Sequence, residues 1–235
     1  MKNQYVGDAC DYFKLDVLDA LANGLRRIER LTSIWMLTPS DGSNHGKKEQ
    51  IEDPELSDLN TFFRALQGRS DAQPRSVRNL EEFLGSRSYR LHSHGADLES
   101  FGSTDRYEYF SGIPTEALED SVIFFDPDTG MEPKHCKPAH VRHSELTMVL
   151  NRASPTSIAV VYQQARHDTT WLNDVGQRIM RECDAHVGYI AESTLAFFIV
   201  ARSPQRRDEA VEILDGVAER TNVNGGTTVR TAGVI

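Results

Sequence analysis

Cysteine is scarce in this chain: its 235 residues include only Cys10, Cys136 and Cys183, an odd and scattered set. They form neither a disulfide framework nor a paired CxxC metal knuckle, and they read as reduced thiols. Long apolar runs are missing too. The run from Leu195 to Ala201 is far too short to cross a bilayer, and Met1-Lys-Asn-Gln-Tyr5 lacks a signal-peptide apolar core, so a cytoplasmic protein with no membrane partner is expected. Positive charge is in deficit. With 26 Lys and Arg against 35 Asp and Glu, the net charge of −9 argues against a broad electrostatic grip on nucleic acid. The exception is the local basic run Lys134, Lys137 and Arg142, the one route by which nucleic acid becomes a partner, although such runs are most often solvated surface. Neither the dinucleotide glycine fingerprint nor a P-loop Gly-Lys-Ser/Thr occurs, which disfavours nicotinamide and nucleoside-triphosphate chemistry.

What is present suits an α/β protein. A hydrophobic content of 39% over this length fits one domain, residues 1–220, followed by a Gly- and Thr-rich tail over 221–235. Asp8 reads as an N-cap ahead of a helix-period stripe, Phe13, Val17, Leu18, Leu21, Leu25 and Ile28. Ser33 to Thr38 reads as a buried strand running into a turn-rich loop, residues 54–67 and 76–85 as helices, and Tyr89 to His92 as a weak strand. Ser121-Val-Ile-Phe-Phe125 is continuous and apolar, as in strands covered on both faces. With the helix-compatible stretch His143 to Arg152 and the strand Ser157 to Tyr162 it makes a βαβ unit. A helical stripe over Trp171 to Cys183 precedes β-rich runs at 186–191 and 194–201, expected to close one edge antiparallel, and a last helix spans about Arg207 to Arg220. The fold class expected is α/β, a mostly parallel Rossmann-like sheet with helices on both faces. Ligands in such sheets bind beyond the carboxyl ends of the strands, where strand order reverses.

Two loops qualify. The first, Thr38-Pro-Ser-Asp-Gly-Ser-Asn-His-Gly46, carries Thr38, Asp41, Gly42 and Gly46, whose small residues would let a cofactor approach the backbone. The second, Asp126-Pro-Asp-Thr-Gly-Met-Glu132, packs Asp126, Asp128 and Glu132 into one turn-forming heptapeptide with Pro127 between and Lys134 just beyond. Crowded carboxylates repel and raise one another's pKa unless a metal, an amine or a lysine relieves them. Asp-rich turns are also ordinary turn formers, and position at the end of a central strand favours the functional reading. Three chemistries use such a loop: methyl transfer to a nitrogen, with Asp126 and the Pro127 carbonyl orienting an amine; metal-assisted phosphodiester cleavage, with Asp126, Asp128 and Glu132 on Mg²⁺ and Lys134 near the attacking water; and aspartyl phosphatase chemistry, which fits poorly because Gly130 stands where its motif has Thr. His135, Cys136, His140 and His143 form a further cluster for which zinc ranks below a surface role.

The stretches Met1-Lys-Asn-Gln-Tyr-Val-Gly-Asp8, Asp11-Tyr-Phe-Lys-Leu15, Trp35-Met-Leu-Thr-Pro39 and Phe125 to Glu132 together resemble a bacterial family with no assigned function. The same order of features resembles the adenine-N6 methyltransferases of large-subunit ribosomal RNA, class I S-adenosylmethionine enzymes. Gly7-Asp-Ala-Cys-Asp-Tyr-Phe-Lys14 is similar to their Gly-Asn-x-x-Asp-x-x-Lys-His segment, with Leu15 in place of the His, and Phe125-Asp-Pro127 to the start of their Asp-Pro-Pro-Tyr. Asp128 and Thr129 replace the second Pro and the Tyr, so the motif lacks its aromatic platform for a flipped adenine. The resemblance implies a class I methyltransferase-like fold, S-adenosylmethionine as cofactor, Asp126 and Pro127 as acceptor-orienting groups and Lys14 against a carboxylate or phosphate near the cofactor. Asp97 and Glu99 are the positional candidates for the ribose-binding acid. Three readings stand: a methyltransferase for nucleic acid or a small amine, a metal-dependent nuclease or phosphodiesterase of bacterial defence, and a non-catalytic binding protein on the methyltransferase fold.

Overall fold

Asp8 starts the first helix by accepting hydrogen bonds from the N–H groups of Cys10 (2.9 Å) and Asp11 (3.0 Å), which satisfies donors that a helix terminus otherwise leaves orphaned. The computed structural model describes residues 1–40, 53–69, 75–223 and 229–235. In chain order these form α1 (Ala9–Gly24), β1 (Arg30–Trp35), α2 (Ser57–Gln67), α3 (Val77–Gly85), β2 (Arg90–His94), α4 (Arg106–Ser111), β3 (Ser121–Asp126), β4 (Gly130–Met131), β5 (His140–Val141), α5 (His143–Arg152), β6 (Ile158–Gln164), α6 (Trp171–Cys183), β7 (His186–Ala191), β8 (Leu195–Ala201), α7 (Pro204–Val223) and β9 (Thr231–Val234).

The main sheet has seven strands in the order β2-β1-β3-β6-β8-β7-β9, and β4 pairs separately with β5. β2, β1, β3 and β6 are mutually parallel. β8 is antiparallel to both β6 and β7, so β7 runs with the parallel set, and β9 is antiparallel to β7. Five strands therefore share one direction, with a reversed strand inserted between β6 and β7. This is an α/β, Rossmann-like architecture, a mostly parallel sheet with helices on both faces. Side chains alternate between the two faces of the sheet as the pleat requires: Phe124 joins a core roofed by α1, α2, α3 and α7, while Ile123 and Phe125 join a second core under α4, α5 and α6.

Several elements differ from the sequence reading, among them the short pair β4 and β5, which was not expected. β1 is placed at Arg30–Trp35 rather than 33–38, because Arg30 already pairs with Arg90 and Ser121; the buried Met36 and Leu37 continue past the ladder. α4 was not expected; its cap is Asp105, which accepts from Glu108 N–H at 2.9 Å. The residues read as a C-terminal tail supply the end of α7 and the strand β9, an edge strand whose half-exposed side chains carry no strong apolar pattern. Among the described residues no helix is long and apolar enough to cross a membrane.

Candidate active site

Sheet order reverses at β1: the chain leaves it for β2 on one side and returns to β3 on the other. The crevice between the carboxyl ends of β1 and β3 is thus the expected ligand position of an open α/β sheet. Asp126 occupies it, opposite Trp35 and at the end of a fully buried strand.

Asp126 is 1% exposed, and an isolated buried carboxylate is costly. Its partner comes from α1. Lys14 Nζ lies 3.0 Å from Asp126 Oδ2 and 2.7 Å from Asp11 Oδ1, with the Phe124 and Tyr162 rings 5.7 and 5.8 Å away. Asp11 uses its other oxygen to accept the Gly7 N–H at 2.9 Å. Burial alone would push the Lys14 ammonium down, but Asp11 and Asp126 outweigh it and hold its pKa above the usual lysine value. Lys14 therefore serves two internal carboxylates, not the ligand carboxylate or phosphate expected of it. The reason is spacing: Asp11 and Lys14 share a helix face, and α1 lies over the end of β3.

Beside this triad opens a cavity of about 380 Å³, walled by Asp8, Asp11, Lys14, Asp126, Asp128 and Tyr162. Pro127, Thr129 and Tyr5 also line it. Asp128 sits 3.5 Å from Lys2 Nζ and 3.6 Å from the Met1 amine. Burial, then the neighbouring Asp11, raise the Asp8 carboxyl to about 7. Burial, with Asp8 and Asp11 adding to it, pushes the Cys10 thiol up to about 12, so it is not a thiolate nucleophile.

The turn after Pro127 is locked from β6. Gly130 has φ +119°, and a Cβ there would fall 2.3 Å from Gln163 Oε1. That oxygen accepts the Met131 N–H at 2.9 Å, while Gln163 Nε2 donates to the Thr129 carbonyl at 3.2 Å. Beyond Gly130 the chain turns away from the cavity, and Glu132 meets α5 instead, accepting from His143 N at 2.8 Å and facing its Nδ1 at 2.8 Å.

This overturns the metal grouping. Asp126 faces Lys14, Asp128 faces Lys2, and Glu132 faces His143, so the three carboxylates do not converge on one ion. Among the described residues no three His, Cys, Asp or Glu side chains are placed to hold a metal, which corrects both the Mg²⁺ set and the zinc cluster. His140 Nδ1 instead accepts the Lys137 N–H at 3.0 Å. Lys134 and Lys137 are exposed, away from the cavity lining, and Arg142 lies 4.0 Å from Glu145. Lys134 is thus not part of a site with Asp126.

On the cofactor side, Thr38 follows β1, and its N–H donates to the Met1 carbonyl at 2.8 Å. Asp41, Gly42 and Gly46 lie outside the described residues. Asp97, beyond β2, is exposed and ion-paired with Arg78, and Glu99 is exposed. Sequence reasoning missed that Asp8, read as a helix cap and as part of the methyltransferase-like segment, and Tyr162, read as the end of a strand, line the cavity beside Asp126. The three-residue spacing of Asp8, Asp11 and Lys14 along α1 was the available signal.

No protein-family model and no curated protein matches the chain. Among solved structures, human methyltransferase-like protein 13 in complex with SAH is similar at 16% identity and a TM-score of 0.42, over 90% of this chain and 92% of that chain.

Proposed function

We propose that this chain is an S-adenosylmethionine-dependent methyltransferase whose acceptor is a nitrogen held at Asp126. The observation that carries the reading is the buried Asp126-Pro127 step, which ends a central parallel strand at the reversal of sheet order and lines a cavity. The cavity volume of about 380 Å³ lies within the ~300–1,000 Å³ typical of small-molecule sites. An acid-rich wall suits a positively charged sulfonium. When bound, S-adenosylmethionine supplies an electrophilic methyl group on that sulfur.

The chain's own residues do the rest. Lys14 fixes the Asp126 carboxylate in one orientation, and Gln163 fixes the turn that follows. The Pro127 carbonyl and the Asp126 carboxyl are then acceptors for the N–H groups of an amine, directing its lone pair toward the methyl carbon. Thr38, Asp41, Gly42 and Gly46 are the residues proposed to hold the cofactor. Calorimetric titration of the folded chain with S-adenosylmethionine tests this: binding is expected, with methyl transfer abolished in Asp126→Asn. No heat from a protein that is demonstrably folded would remove the reading.

A further inference from the structure

Asp8 presents a carboxylate oxygen to the cavity that nothing in the fold uses. Its Oδ1 accepts both capping bonds, from Cys10 and Asp11 N–H. Among the described residues its Oδ2 has no partner, although the residue is only 9% exposed and lines the cavity. That oxygen is open to the cavity, where a ligand can donate to it. A neutral asparagine would cap α1 equally well. The acid therefore adds something beyond helix capping.

The surroundings define what would meet that oxygen. Four carboxylates, Asp8, Asp11, Asp126 and Asp128, face the cavity against three cationic groups, Lys14, Lys2 and the Met1 amine, so with all four ionised the lining is more negative than positive and favours a cation over phosphate. Tyr162 offers its ring to a bound cation, as it already does to Lys14. No aromatic residue follows Pro127 to stack a base; Asp128 and Thr129 stand there. The basic run Lys134, Lys137 and Arg142 lies outside the cavity lining.

We infer that the acceptor is a protonated aliphatic amine and that Asp8 Oδ2 takes the proton its nitrogen must lose. The inference rests on the methyltransferase reading for the transfer step, but the amine site stands on the cavity alone. An aliphatic ammonium, pKa about 10.4, has no lone pair at neutral pH. One N–H bond breaks, its proton passing to Asp8 and its electron pair staying on nitrogen. The N–C bond then forms as the C–S bond of the sulfonium donor breaks, leaving a neutral thioether, and Asp8 returns its proton to solvent. An exocyclic adenine amine is unprotonated beforehand and has no need of such a group. A carboxyl titrating near 7 suits the task. The charged and titratable groups around it are Asp11, Lys14 and the Cys10 thiol on α1, Asp126 on β3, Lys2, the Met1 amine and Asp128 at the rim, Arg75 beside Gly7, and Glu192 near Cys10.

The test uses the full chain, butylamine as probe and 1-butanol as its uncharged counterpart, followed by calorimetry at about pH 6 and pH 8. Butylamine is expected to bind better than butanol, and about tenfold better at the higher pH, the change in ionised fraction of a group titrating near 7. Asp8→Asn and Asp8→Ser, which keep the cap, should lose that pH dependence. An equal pH dependence in both variants, no butylamine binding, or tighter binding of an adenine oligonucleotide than of the amine would each overturn the inference. Titration with S-adenosylmethionine is run alongside. Amine binding without it keeps the site and sinks the methyltransferase reading, and the converse result does the opposite. Where both bind, methyl incorporation into butylamine should fall by roughly 10²–10⁴ in kcat in Asp8→Asn, and an unchanged kcat overturns the assignment.

Discussion

Lys14 Nζ and Asp126 Oδ2 lie 3.0 Å apart although 112 residues separate them in sequence, so one buried cation joins the first helix to the end of the central strand. Asp11 shares that cation, and both carboxylates are almost fully buried. A Lys14→Met variant keeps the length and apolar stem but leaves two acids facing each other in low dielectric. The loss of stability expected is about 3–5 kcal/mol, since breaking a buried pair strands the remaining charge. Urea unfolding measures it. A loss below about 1 kcal/mol, the range of surface pairs, would mean that the triad is solvated.

Asp8 has the opposite effect on stability. Its carboxyl titrates near 7 in the fold against 3.8 as the ordinary value, the shift coming from burial first and Asp11 second, with Lys14 opposing. A raised folded pKa means that the folded chain holds the proton more tightly. The contribution is present below about pH 3.8 and is lost as pH rises through about 7. Asp8→Asn should therefore be more stable than the parent at pH 8, by roughly 1–4 kcal/mol, with the difference closing toward pH 4. Thermal unfolding across that range reads the sign directly, independently of any ligand. A variant less stable than the parent at pH 8 would show that the carboxylate is stabilised in the fold by a donor beyond the Cys10 and Asp11 N–H groups.

The elements legible in the sequence are those whose physics is local. The apolar run over β3, the stripe of α1 and the βαβ unit through α5 and β6 follow from periodicity alone, and Asp126 inherits its place from the end of β3. What was not legible depends on distant partners. Asp126, Asp128 and Glu132 look like one cluster because they are near in sequence, yet the positive φ of Gly130 sends Glu132 to α5. Asp8 and Asp11 read as ordinary helix-start acids until β3 is packed against them. β9 carries too few buried side chains to announce itself, and its strand character comes from the exposed edge of β7.

Gly130 ought to be intolerant of any side chain for two separable reasons. Its φ of +119° disfavours L residues, and an added Cβ would strike Gln163 Oε1. Gly130→Ala should cost at least about 2 kcal/mol. In a Gln163→Ala background the steric part disappears and the backbone part stays, so the added penalty shrinks without vanishing. A double-mutant cycle by chemical unfolding measures the split. Additive penalties would show that the glutamine does not press on the turn.

Glu132 and His143 form a pair whose titration acts on stability in one direction. Burial, helped by Arg178, lowers the His143 pKa below 6.5 even though Glu132 pulls it up. For Glu132 burial is the largest single influence and pushes the carboxyl up, but the hydrogen bonds from the His143 backbone and ring, with the nearby charges, together outweigh it, and its carboxyl lies below 4.5. A histidine held neutral in the fold and free to charge when unfolded contributes fully above about pH 6.5, and that contribution fades as pH falls below it. The carboxylate contributes above 4.5 and is lost further down. Both therefore destabilise the fold on acidification. His143→Gln, which cannot charge, should lose less stability than the parent between about pH 7 and pH 5, the interval in which an ordinary histidine titrates. Unfolding midpoints at the two pH values decide it, and parallel losses in parent and variant would place the acid sensitivity of this face in another group.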